Sequence, residues 1–319
     1  MIVQNENLQK LLWGTEMQQS LEFLVFGATG QQGGAVARAL KARGKTVRAF
    51  VRDAQSDKAR ALAGLGIKLV VGDLFDRASI DRAMQGVNRV FSVQTSSPSG
   101  LVSDEQEVMQ GKAIADSAVA ANVEFLVYSS GGAAGKGLTG MGHFDSKSRI
   151  EEYIRSLPIA ATITRPASFM EMMLLPGMGL NTGVFTFFMH RDQPMQMIAL
   201  DDLGRINAEI LCHPERYAGQ ALELSGQSIT GEELECAFSL AAGRPIRYQR
   251  FSEELLANNL FLKKLTELVD NGVVAGIADI PALEREFGPM LTLKEWLKGA
   301  GKAPFDAALN MATADIALR

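Results

Sequence analysis

Phe23-Leu24-Val25-Phe26-Gly27-Ala28-Thr29-Gly30-Gln31-Gln32-Gly33-Gly34 joins an apolar run of strand type to a glycine turn spaced GxxGxxG. Each glycine answers a separate need of a dinucleotide site: Gly27 a tight turn, Gly30 close backbone approach to a pyrophosphate, Gly33 packing of a helix on the strand. Val36, Ala37 and Leu40 then recur at helical spacing. Free amides and the helix dipole at that N-terminus would face anionic phosphates. An ordinary strand-to-helix turn also uses such glycines; the flanking strand and helix patterns favour the dinucleotide reading.

Working outward, 319 residues with 47% hydrophobic content are enough for one large α/β unit or two closely packed domains. The net charge of -4, without a dense Lys/Arg block, predicts no direct nucleic-acid binding. Cys212 and Cys236 sit in neither a CxxC nor a Cys/His cluster, so reduced thiols, a cytoplasmic protein and no structural metal are expected. No apolar stretch approaches the roughly 18 residues of a membrane span. Residues 1–20 lack a clear period and contain a second methionine, Met17; they read as an N-terminal extension, disordered or a matter of start-site choice.

After the glycine turn, apolar runs at Thr46–Val51, Ile67–Val71, Arg89–Val93, Phe125–Ser129 and Ala160–Thr164 alternate with helical patterns. The alternation predicts a doubly wound parallel sheet, its strands buried on both faces. Ser103-Asp104-Glu105-Gln106 is a capping box for a helix running toward Ala121. Right-handed crossovers place the loops after each strand on one edge, which collects Gly27 to Gly33, Arg52, Asp73, Thr95, Ser130 and Pro166. A binding domain at 21–166 and a smaller α+β lobe at 167–319 are expected, with a strand near 220–224 returning to the main sheet. Helices are expected at Asp201 to Cys212 and after Thr230, and an alanine-rich tail after Gly299 without a clear stop, its last residues frayed.

Arg52 immediately follows the second strand, where arginine accommodates a 2′-phosphate and an acid bonds a 2′-hydroxyl. NADP(H) is therefore the expected ligand; Asp53 keeps NAD(H) as the alternative.

In short-chain dehydrogenases, proton transfer uses a tyrosine, a lysine four residues later and an upstream serine. Here Tyr128, Tyr153, Tyr217 and Tyr248 are followed at that spacing by Gly132, Leu157, Ala221 and Ser252. His143-Phe144-Asp145-Ser146-Lys147 keeps the spacing with histidine in tyrosine's place, and Ser130 is the upstream serine. Either His143 is a general acid, or Lys147 is retained for cofactor binding and the chemistry is lost or altered, the favoured reading. Lys147 pairing with Glu151 on one helix face is the plain alternative. The glycines from Gly131 to Gly142 predict a mobile loop able to order over a ligand.

These motifs together resemble the NmrA-like family of atypical short-chain dehydrogenase/reductases, most closely its human NADPH-sensor branch. The carriers are the glycine turn, Val51-Arg52, Gly72-Asp73, Val127-Tyr128-Ser129, His143 to Lys147 with Glu151-Glu152-Tyr153, Arg165-Pro166, Phe169-Met170-Glu171 and Leu291 to Leu297. The resemblance spans about 21–297. It implies a Rossmann-type NADP(H) domain with Gly27, Thr29, Gly30, Gln31, Gly33 and Arg52 on the adenine side and Lys147 on the nicotinamide ribose. Asp73, Thr95, Pro166 and Phe169 complete the expected cofactor contacts. The family commonly has Glu-Asn after Phe169 where this chain has Met170-Glu171-Met172, so the pocket wall beside the nicotinamide is expected to differ.

Two functions follow as expectations: an NADP(H)-responsive sensor whose ligand changes association with a protein partner, as monomer or homodimer, or a reductase of quinone-like or other aromatic carbonyl acceptors. The sensor is favoured because the usual acid is missing. The reductase draws on the Met/Phe-rich stretch from Phe169 to Met189, although a plain core role is favoured for those side chains.

Overall fold

The computed structural model describes residues 21–312, 314 and 316. The expected extension at 1–20 lies outside the described residues. The first half runs β1 (Glu22–Val25), α1 (Gln31–Ala42), β2 (Thr46–Val51), α2 (Asp57–Gly64), β3 (Lys68–Val71), α3 (Arg77–Met84), β4 (Arg89–Ser92), α4 (Asp104–Ala120), β5 (Phe125–Ser129), α5 (Gly142–Ser156) and β6 (Ala161–Pro166). Then come β7 (Ser168–Phe169), β8 (Val184–Phe187), β9 (Met195–Ile198), α6 (Leu200–Cys212), α7 (Pro214–Tyr217), β10 (Ala221–Leu224), β11 (Gln227–Ile229) and α8 (Gly231–Ala242). The chain closes with β12 (Arg247–Arg250), α9 (Glu253–Asn258), α10 (Leu260–Asp270), α11 (Ile280–Phe287), α12 (Leu293–Lys298) and α13 (Lys302–Leu309).

Seven parallel strands form the main sheet in the order β10-β6-β5-β4-β1-β2-β3. Strand order reverses between β1 and β4, which opens a ligand crevice at their carboxyl ends. Phe23, Val25, Phe91 and Val127 face α1 and α6, while Leu24, Phe26, Val90 and Leu126 face α3, α4 and α5. β5 is buried at every residue. β3 departs from that pattern because it is the sheet edge, and Val71 is 60% exposed.

α4 starts with the anticipated box: the Ser103 N–H donates to Gln106 Oε1 (2.8 Å) and the Gln106 N–H to Ser103 Oγ (3.2 Å). Gly204 of α6 lets that helix close on α1, since a Cβ there would stand 2.7 Å from the Ala35 carbonyl carbon. β10 pairs with β6 and so ties the second half of the chain into the sheet.

Two small sheets, β11-β9-β7 and β12-β8, carry the second half. Met170, Met173, Phe185, Phe187 and Met189 are core there, packed with Phe238 and Trp296. In the alanine-rich tail α13 forms, and Phe305 stacks on Phe238 with centroids 5.5 Å apart, while the last residues, 317–319, where fraying was expected, lie outside the described residues. Among the described residues no helix is long and apolar enough to cross a membrane.

Candidate active site

The glycine turn shapes the end of the crevice above β1. Gly27 has φ +67, and a Cβ there would lie 2.6 Å from Val93 Cγ1. Only glycine combines that backbone with that contact. A Cβ on Gly33 would meet the Gly27 carbonyl oxygen at 2.4 Å, so α1 sits directly on the turn. Gly30 caps α1 without a side chain, and the first turn holds no acid. The open amides there suit an anion.

Thr29, Gly30 and Gln31 border this end. Arg52 is exposed just beyond β2 and makes no ion pair among the described residues. Its neighbour Asp53 is turned into its own loop, where its carboxylate accepts the Gln55 N–H (2.7 Å). Asp73 does the same for the Phe75 N–H (2.9 Å). Thr95 is exposed beyond β4.

At the other end a cavity of about 280 Å³ runs from the sheet edge beneath the second half of the chain. Ser130, His143, Lys147, Pro166 and Phe169, five of the residues singled out from sequence, meet along it with Gln32. Met172, Phe188, Met195, Phe261, Leu265 and Ile277 supply an apolar opposite wall. Apart from Gln32, the glycine turn lies outside this cavity, with Arg52, Asp73 and Thr95, on the same edge.

Lys147 projects from α5 into the cavity wall, with Nζ 2.5 Å from Oε1 of the wholly buried Glu107 on α4. The second Glu107 oxygen accepts the Ser146 hydroxyl (2.9 Å). Lys147 is thus not paired with Glu151. Glu151 instead takes two hydrogen bonds from Arg165 (2.9 and 2.6 Å) and one from Arg155 (2.8 Å).

His143 opens α5 with its ring against Phe144 (4.0 Å between centroids) and Phe261 (5.4 Å). Burial and the Lys147 charge lower its pKa to about 4, against the pull of Asp104 and Asp145. With its pKa so lowered, the ring favours its neutral form near neutral pH, a much weaker proton donor than the imidazolium. Tyr128 offers no substitute: its phenol is fully buried, and burial with Glu107 and Glu151 nearby pushes its pKa far up.

The glycine loop between β5 and α5 is hydrogen-bonded to α5. Asp145 accepts the N–H groups of Thr139 (2.8 Å) and Gly140 (3.2 Å), and Ser148 Oγ accepts that of Gly135 (3.1 Å). Gly135 is needed because a Cβ would overlap Arg165 Nη2 at 2.1 Å.

Gln32, Gln94, Arg165, Gln196 and Glu223 also line the cavity and were not singled out as site residues from sequence. Glu223 had a readable signal, a carboxylate inside an otherwise strand-like run. Gln32 had none, since its role depends on accepting the Ser129 hydroxyl (2.7 Å) across 97 residues.

The NmrA-like family profile matches residues 19–290. The chain belongs to the NmrA-like family. An NmrA-like domain-containing oxidoreductase of Aspergillus flavus, lnaB, is 32% identical over 248 residues, covering 70% of this chain and 74% of that one. An NAD(P)H azoreductase of Xenophilus azovorans is 30% identical over 227 residues, covering 70% and 75%. The structure of a Citrobacter sp. triphenylmethane reductase complexed with NADP(H) aligns with a TM-score of 0.74 at 22% identity, covering 88% of this chain and all of the other. In this NmrA-like protein the family's sheet is therefore kept, while Met172 places a thioether in the cavity wall after Phe169.

Proposed function

We propose that this protein is an NADP(H)-dependent reductase of a flat aromatic acceptor. The observation that carries this reading is the apolar cavity adjoining Lys147, Pro166 and Phe169 at the open end of the crevice. A sensor needs room for the nicotinamide beside Lys147, Pro166 and Phe169 but not the further apolar space lined by Phe188, Phe261 and Leu265. In this reading Gly27, Thr29, Gly30, Gln31 and Gly33 hold the pyrophosphate end, Arg52 the 2′-phosphate and Asp73 and Thr95 the adenosine side. Lys147 holds the nicotinamide ribose, with Pro166 and Phe169 against the ring. The engagement of Asp53 in its own turn supports NADP(H) over NAD(H). The bound dihydronicotinamide supplies a hydride; the chain orients it and keeps water out with Phe188, Phe261 and Leu265.

The sensor reading retains one supporting contact, Lys136 Nζ to the Val273 carbonyl (3.3 Å), which links the glycine loop to the second half of the chain. The decisive experiment follows NADPH oxidation across a panel of quinones and cationic aromatics, with solution mass measured with and without NADPH. Turnover that Lys147→Ala reduces about a hundredfold supports the reductase. No turnover with any acceptor, together with an NADPH-dependent change in mass, overturns it in favour of the sensor.

A further inference from the structure

The ammonium of Lys147 is held by a carboxylate that no solvent reaches. Glu107 is 0% exposed and sits in the first turn of α4, where the helix dipole favours an anion. Its two oxygens are taken by consecutive residues of α5: Oε1 accepts the Lys147 ammonium (2.5 Å) and Oε2 the Ser146 hydroxyl (2.9 Å). Ser146 is itself buried. One turn further along α4, Gly111 lets the two helices close, since a Cβ there would stand 2.7 Å from Ile150 Cδ1. Both helices thus fix where the carboxylate lies.

Such a pair calls for a reason beyond stability. Burying two charges costs desolvation that their attraction offsets only in part, and an apolar pair of similar volume often holds two helices together as well. Lys147, unlike Glu107, also lines the cavity, and 12% of its side chain is exposed. An ammonium has three N–H groups, and Glu107 takes one; the others have no acceptor among the described residues. A lysine head on a flexible four-carbon stem samples many positions unless a partner aims it. Here one side of the head is locked and the other is open to a ligand.

We propose that Glu107 is the positioning residue for Lys147, holding its ammonium at the cavity wall with the free N–H groups left for the nicotinamide ribose of the dinucleotide. This rests on the reading above in which Lys147 holds that ribose. Glu107 does not line the cavity; it acts through Lys147, by keeping the ammonium in place.

The test measures, by titration calorimetry on the full chain, the dissociation constants of NADPH and of 2′,5′-ADP, which carries the adenosine end alone. The variants are Glu107→Gln, Lys147→Met and the two combined. Expected for Glu107→Gln is NADPH binding weakened about tenfold, 2′,5′-ADP changed less than about twofold, and less than about twofold further loss when it is added to Lys147→Met. Ser146→Ala, which loosens the carboxylate without removing a charge, should weaken NADPH about threefold and spare 2′,5′-ADP. That variant decides the question if Glu107→Gln does not fold. Equal loss for both ligands, no loss for NADPH, or full additivity with Lys147→Met overturns the proposal. If Lys147→Met leaves NADPH affinity unchanged, the ribose reading fails and the proposal falls with it.

Discussion

At the residue scale, Gly30 and Gly33 are both glycines for steric reasons, but of different kinds. A Cβ on Gly33 would meet the Gly27 carbonyl oxygen at 2.4 Å and its carbon at 2.5 Å, all backbone that cannot yield. On exposed Gly30 the nearest atom is 3.1 Å away. Gly33→Ala is therefore expected to cost about 1–3 kcal/mol in urea unfolding. Gly30→Ala should cost less stability than Gly33→Ala and weaken NADPH binding more, read by fluorescence titration. Equal stability loss in the two variants would show that the turn, not the ligand, explains both glycines. Much of this was legible in sequence, because glycine spacing reports backbone geometry. Glu107 was not legible as the partner of Lys147: the two are 40 residues apart, and the pair exists only because α4 packs on α5.

Among the elements, α5 carries both His143 and Lys147 on the face turned to the cavity, as their four-residue spacing requires. The consequence for His143 comes from what covers that face. Phe144 and Phe261 desolvate the ring and lower its pKa from 6.5 to about 4. Between those values the unfolded chain binds more protons than the folded one at this site, so its contribution to stability rises with pH from about 4 to about 6.5 and is level above. His143→Gln removes that contribution. The unfolding free energy of the native protein relative to the variant should fall as pH drops from about 7 to about 4.5; a difference that stays constant means the ring titrates normally. The strand and helix starts were readable because caps and apolar runs are local: α4, α6 and α8 begin within a residue of their sequence signals. The edge position of β3 and the packing of α13 were not, since both depend on which neighbours the element meets.

For the whole molecule, the cavity is roofed by the segment 274–278, and Gln196 of β9 holds that segment. The Gln196 N–H donates to the Ala275 carbonyl (2.7 Å), its side-chain amide donates to the Ala278 carbonyl (2.9 Å), and its side-chain oxygen accepts the Ala278 N–H (2.8 Å). Gly276, at φ +91, lets the segment lie against the Gln196 side chain, where a Cβ would come within 2.4 Å. Gln196→Ala is expected to speed proteolysis within 274–278 by about tenfold while leaving NADPH affinity unchanged, because the latch lies away from the adenine cradle. Unaltered cleavage would mean the segment is held by its apolar contacts alone. The sequence by itself determined the sheet, the glycine cradle, the arginine after β2 and the absence of the tyrosine acid, since each is written in residues close together in the chain. Only the tertiary structure decided that burial lowers the His143 pKa, that Lys147 answers to Glu107, and that Glu223 meets Arg165 in the cavity wall. Burial and pairing across 40 to 118 residues set those properties, and no local pattern encodes which side chains will share a wall.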